Sequence, residues 1–374
     1  RIIGAGQVGV RLAPTARLQL GIQVRQRTLI FGENFFSLPR EDEPGLINPY
    51  ATSADESYLE APMNEVGIYA QAPLTPAKGV RLVPGVRVDR WSEAPRWTAD
   101  PRLAARVDLD SRWRLRAAAG VYHQVPSMED LVQAGVGSLL LPEAAFQATG
   151  GASVRPIPAL ELGLDLFVTS QWNLVVADAS LYEQAMFDSL AGGDAGDDQP
   201  LSNSGVGRVG GVEISVRWHP LGRIDVLAAY ALSRSERLDH GDEAWRVFQY
   251  DRPHQLTLAG QIKAPHDWNF GLRFRLASGA PDTPVSEVIY LADLGGYVPR
   301  WGLPYSQRLR PFHQLDWRVG KTFRLPAFVL MVYLDVENTY FARRDDVVIY
   351  NRDFSERLSV AMVPLFRLGL RAEF

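Results

Sequence analysis

The 374-residue chain contains no cysteine. It therefore has no disulfide framework and no thiolate-based metal or redox site. It has no run of ~18 apolar residues, which excludes a membrane-spanning helix. It does not exclude the membrane, because a closed β-barrel is the other structure that satisfies its backbone in lipid. The net charge is −4 and no basic cluster stands out, so nucleic acid is not an expected partner. Phosphate-cradling and dinucleotide fingerprints are missing. The six histidines (His123, His219, His240, His254, His266 and His313) form no paired-ligand spacing such as H-E-x-x-H. Neither an enzyme nor a cofactor or metal is expected. The acids of Asp194, Asp197 and Asp198, and those around Asp239, Asp242 and Glu243, lack the spacing of a calcium loop and read as solvated loop tips.

What the chain does have is alternation. Leu18, Leu20, Ile22 and Val24 interleave with Gln19, Gly21, Gln23 and Arg25. The same pattern returns at Leu160–Val168, Val212–Trp218, Phe270–Leu276 and Leu315–Gly320. A period of two is the strand signature. Here one face is apolar and the other carries Arg25, Asp165, Glu213, Arg273, Arg275, Asp316 and Arg318. A composition that looks globular, 46% hydrophobic and 22% charged, fits a membrane barrel, since only every second strand residue meets lipid.

Short turns are expected near Pro14, Pro76, Asp110, Pro156, Pro220, Pro265 and Pro326. Long connections are expected near 33–63, 92–101, 125–143, 176–204, 238–252, 280–312 and 340–363, strictly alternating with the short ones. Outer-membrane barrels sort their loops in this way. Trp113, Trp218, Trp268, Phe323, Phe328 and Phe374 fall near turn ends. They suit an interfacial girdle, or simply the strand preference of aromatic residues. The fold expected is all-β: an antiparallel transmembrane barrel, built as a meander of about fifteen strands. An odd count where barrels have even ones, and a start at Arg1 with no leader segment before a strand, point to strands encoded upstream.

The last strand alternates without a break. Phe366, Leu368, Leu370 and Phe374 lie on its apolar face and make a candidate barrel-assembly signal. Phe374 is expected to point outward at the rim. Its replacement by Asp is expected to lower assembly.

Several ordered segments carry a resemblance. They are Asp100-Pro101-Arg102, Gly120-Val121-Tyr122-His123-Gln124-Val125-Pro126, Leu141-Pro142-Glu143 and Gln147-Ala148-Thr149-Gly150-Gly151. They continue with Tyr250-Asp251-Arg252-Pro253-His254, Ser278-Gly279-Ala280-Pro281, Thr283-Pro284-Val285, Phe312 to Lys321 and Leu334-Asp335-Val336-Glu337-Asn338. Over about residues 64–374 the chain resembles the barrel part of TonB-dependent receptors of the Gram-negative outer membrane. The resemblance implies a barrel of about 22 strands with a plug inside it. Residues 1–374 would then be a partial barrel domain without the plug. It also implies active import of a scarce solute, such as an iron chelate. The partners implied are outer-membrane lipid, the barrel-assembly machinery and, through the N-terminal part, the TonB energy-coupling complex. A passive porin and a structural or adhesive barrel are the alternatives.

Loop 280–312 is the candidate ligand surface, with Tyr290, Tyr297, Arg300, Trp301, Tyr305 and Arg308 (and Arg310). Aromatics with arginine suit a planar or anionic solute. Arg273, Arg275, Asp316 and Arg318 are expected to face the lumen.

Overall fold

The computed structural model describes residues 2–33, 57–92, 94, 96–127, 130–131, 134, 140–177, 201–239, 241–291, 296–351, 353–361 and 363–373. Among the described residues fifteen long strands form one antiparallel meander. They are β1 Ile2–Ala13, β2 Ala16–Glu33, β3 Ser57–Gln71 (continued by Leu74–Ala77), β4 Val80–Trp91 and β5 Trp97–Asp108. The next five are β6 Trp113–Gln124, β7 Glu143–Ile157, β8 Leu160–Ala177, β9 Leu201–Trp218 and β10 Ile224–Leu238. The last five are β11 His254–Ala264, β12 Trp268–Ala277, β13 Phe312–Arg324, β14 Val329–Glu337 and β15 Leu365–Glu373. Each pairs with its sequence neighbours. Among the described residues β1 pairs only with β2 and β15 only with β14.

Two residues join β1 to β2, β3 to β4 (78–79) and β7 to β8, and three to five serve at 109–112, 219–223, 265–267 and 325–328. In an antiparallel meander these seven turns share one end. At Gly79 the turn needs φ +78°, a conformation that side chains disfavour. At 109–112 the Asp110 carboxylate accepts the N–H groups of Arg112 at 2.7 Å and Trp113 at 2.6 Å. These bonds hold its pKa below the usual carboxylate range. A depressed pKa adds stability that is full above the unfolded value, about 3.9, and is lost as pH falls through the folded one. The amide NMR signals of Arg112 and Trp113 should therefore titrate with a midpoint below about 3.9; a midpoint at or above it would mean that the carboxylate does not clamp the turn.

The opposite end carries the long connections, with one correction. Trp97 and Thr98 already pair with Arg90 and Asp89, so the ladder runs on before Asp100 and only five residues separate Trp91 from Trp97. The β-favouring side chains of Trp97 and Thr98 extend the strand into a segment expected to be loop. The length sorting is therefore not strict.

The two faces differ sharply. Ile22, Ile68, Leu164, Leu166, Ile214, Leu272, Leu368 and Leu370 are large, apolar and exposed. Register places them side by side across the sheet: Ile22 opposite Ile68, Leu164 opposite Ile214, Leu334 opposite Leu368. Trp113, Trp218, Trp268 and Phe323 stand exposed at the short-turn edge of this face. Phe328 is half-buried and Phe374 lies outside the described residues. The other face buries polar side chains: Glu65, Asp89, Asp100, Ser153 and Asp316. Apolar outside and ion-paired inside is the arrangement for a wall between lipid and a wet interior.

Candidate solute-binding loops and the polar wall

The polar wall is held together by charge pairs, most of which only the register brings together. Arg25 Nη1 donates to Glu65 at 2.7 Å, and Arg87 grips Asp89 through Nε at 2.7 Å and Nη2 at 2.6 Å. Arg116 forms a two-pronged pair with Asp165, 49 residues away in sequence. His123 Nδ1 lies 2.6 Å from Asp100 Oδ1.

The four residues expected on the lumen side all fall on this face and close into two groups. Arg273 donates to Asp316 Oδ2 from Nε at 3.0 Å and Nη2 at 2.8 Å, and Arg275 approaches the same oxygen at 3.5 Å. Gln314 Nε2 and the backbone N–H of Asn338 occupy the other oxygen. Asp316 is only 7% exposed, and this full set of donors is what makes its burial tolerable. Arg318 makes a two-pronged pair with Asp335, and its guanidinium lies 4.5 Å from the Tyr333 ring.

At the long-loop end the connection from β12 to β13 builds its own structure. Val285–Leu291 and Gly296–Trp301 form a hairpin, and Pro281–Asp282 pairs with Gln307–Arg308. Tyr290 and Tyr297 are cross-strand neighbours with ring centroids 5.0 Å apart, both roughly half-exposed. Arg300 Nη1 reaches Glu287 at 3.1 Å and remains largely exposed. Trp301 packs edge-on against Tyr350, which belongs to a second outer ladder, Arg343–Tyr350 with Arg357–Ala361. Near the tip of that ladder the Ser355 hydroxyl and N–H hold the Asp353 carboxyl below the usual range.

The sequence reading groups Tyr305 and Arg308 with this surface, but the structure sets them beneath it. Tyr305 is 7% exposed; its N–H donates to Thr283 Oγ1 at 3.0 Å and its hydroxyl to Gln249 at 3.3 Å. Arg308 donates to the carbonyls of Asp251 at 2.8 Å and Gly279 at 3.1 Å and pairs with the Asp251 carboxylate. Their side chains are long and polar enough for a ligand surface. They are instead used on acceptors from the adjoining loop.

Two buried acids that sequence reasoning did not single out organise this junction. Asp251, 1% exposed, binds Arg308 and the N–H of Ser235. Asp282, 3% exposed, takes Gln307 at 2.7 Å and also Arg357. Loops 239–253, 278–311 and 338–364 are thereby joined through acid–base contacts. Asp251 sits in the Tyr-Asp-Arg-Pro-His segment already noted; its partner 57 residues on could not be read from the chain. Asp239 and Asp242 both turn onto Arg246. Asp194, Asp197, Asp198 and His240 lie outside the described residues.

On the last strand Phe366, Leu368 and Leu370 are 67%, 76% and 70% exposed on the apolar face. Gly369, facing the other way, leaves room for the Tyr333 ring, which any side chain there would overlap.

A β-sheet wall with an apolar exterior, an ion-paired interior and loops gathered at one end defines a membrane-barrel protein. The chain belongs to the TonB-dependent receptor-like β-barrel family, whose pattern it matches over residues 6–338. Its place is the outer membrane of Gram-negative bacteria. No curated protein matches it. Among solved structures, the ferric-catecholate import receptor Fiu of E. coli K12 is similar at 16% identity and TM-score 0.64, covering 99% of this chain and 54% of that one. The FrpB iron transporter of Neisseria meningitidis is similar at 14% identity and TM-score 0.64, covering 98% and 54%. FpvA of P. aeruginosa, solved with pyoverdine and iron, is similar at 14% identity and TM-score 0.62, covering 99% and 47%. The chain thus spans about half the length of the solved structures it matches.

Proposed function

We propose that this chain supplies the wall and outer loops of a transport receptor that binds a scarce solute, an iron chelate or a similar compound, and imports it with energy supplied through TonB. The observation that carries this reading is the outer hairpin. It presents Tyr290 and Tyr297 side by side on one face, with the exposed Arg300 on the other face of the same hairpin, on a loop unit braced by Asp251 and Asp282. Two adjoining aromatic faces suit a planar, electron-rich chelate, and a braced loop loses little freedom on binding it. Arg273, Arg275, Asp316 and Arg318 would line the path beneath.

The edges of the sheet bear on the rest of the molecule. With fifteen alternating strands, β1 and β15 run in the same direction. Antiparallel closure then requires an odd number of further strands between them. We place those strands, a plug and the TonB-contacting segment in the same receptor, outside residues 1–374.

The test is uptake and binding of a panel of radiolabelled ferric chelates by cells carrying the receptor. Replacing both Tyr290 and Tyr297 by Ala should weaken binding by about tenfold or more while surface levels stay normal. Uptake should vanish in cells lacking TonB. Uptake that persists without TonB, together with open conductance in planar bilayers, would make this a passive porin.

A further inference from the structure

At the short-turn end β3 is interrupted. Pro73 has no N–H to give to the ladder, and the strand lapses between Gln71 and Leu74 without a change of register. Three backbone bonds carry the pairing across the gap: Ala72 to Pro84 at 2.9 Å, Arg17 to Pro73 at 3.1 Å and Thr75 to Thr15 at 2.8 Å. Beside it lies a concavity of about 470 Å³ on the polar face. Such a volume suits a small solute. Arg11, Arg17 and Arg81 line it, with Thr15, Thr75, Gln19 and Gln71, and no acidic residue does.

The charges around it do not balance. Arg11 lies directly opposite Arg17 in the β1–β2 register, a like-charge pair that costs stability. Among the described residues none of the three guanidiniums meets a carboxylate or another hydrogen-bond acceptor. The cross-strand partner of Arg81 is Arg106, and the nearby Asp108 is already shared by Arg106 and Arg114. All three arginines are exposed on the wet face. A fold that concentrates three like charges around one open cavity is completed by a negative ligand.

We propose that Arg11, Arg17 and Arg81 form an oxyanion-binding site at the short-turn rim, the periplasmic side of the wall, for a free small solute carrying at least two negative charges on phosphate or carboxylate groups. The chemistry of the site is independent of the transport reading; only its placement at the periplasmic rim rests on it.

The test is calorimetric titration of the full receptor in detergent with inorganic pyrophosphate, against sodium chloride at equal ionic strength. Pyrophosphate should bind and should raise the thermal midpoint beyond the effect of chloride. Arg17→Gln and Arg81→Gln should each weaken binding about tenfold or more. Arg17→Gln should also leave the ligand-free midpoint unchanged or higher, because it removes the repulsion with Arg11. No binding beyond chloride overturns the proposal, and so does binding that both variants leave unchanged. A lower ligand-free midpoint in either variant also overturns it. The arginines would then be holding carboxylates of a polypeptide segment inside the receptor rather than a free anion.

Discussion

Replacing Leu166 by Arg should cost about 2–4 kcal/mol of folding free energy in lipid vesicles, the range for a cation near the middle of the apolar band. Leu166 is 58% exposed and lies in β8 between Gly150 and Val212. It is six residues above Leu160, which pairs with the rim residue Trp218. At about 3.4 Å per residue and a tilt near 40°, that puts it roughly 15 Å above the girdle in a band about 25 Å tall. Thr169, on the same strand but facing the polar side, gives the contrast. Thr169→Arg should change the free energy by no more than about 0.5 kcal/mol. Equal costs at the two positions, measured by denaturant titration of the full receptor, would mean that the faces are wrongly assigned.

Loss of the Asp251 carboxylate should be the most damaging single change in the loop unit. Asp251→Ala leaves the Arg308 guanidinium without its counter-charge and the Ser235 N–H without its 2.6 Å acceptor. Breaking a buried pair from one side costs about 3–5 kcal/mol. Arg308 keeps 33% of its side chain exposed, so the cost should fall toward the lower end of that range. The effect should be local. Hydrogen exchange should rise across 239–253 and 278–311 while the strands of the wall stay protected. Removing Arg308 as well should cost less than the sum of the two single changes, because the second deletion removes the charge that the first one stranded. Unchanged exchange in Asp251→Ala would show that the junction does not hold the loops, and would weaken the case for a braced ligand surface.

The wall was legible in the sequence, because strand geometry maps alternate residues onto opposite faces. Leu18 to Val24, Leu160 to Val168 and Leu368 with Leu370 needed only the period of two to be placed on the apolar side. Turns legible from proline and the aspartate at 110 fell at one end because a meander alternates its ends. The same logic gave Arg273, Arg275, Asp316 and Arg318 their common face. It could not give Arg116 its partner Asp165, or Arg273 its partner Asp316, because those depend on how each strand slides against the next. The early start of β5 at Trp97 was missed for a similar reason: a ladder continues as long as its neighbour offers partners.

The loops were legible only as composition. Tyr290, Tyr297 and Arg300 could be grouped because they lie close together in one connection, and each is exposed in the fold, the two tyrosines on one face of the hairpin and Arg300 on the other. Tyr305 and Arg308 have the same chemistry and the same neighbourhood in sequence, yet one is buried and the other is committed to Asp251. Their roles depend on acceptors in another loop, and no local pattern encodes a contact across 57 residues. The cavity with Arg11, Arg17 and Arg81 was hidden for the same reason. By itself the sequence determined which residues face lipid and which face water, since that follows from the two-residue period of a strand. Which charges find partners and which are left without one was decided only by strand register and loop packing, because charge pairing requires atoms to come within a few ångströms.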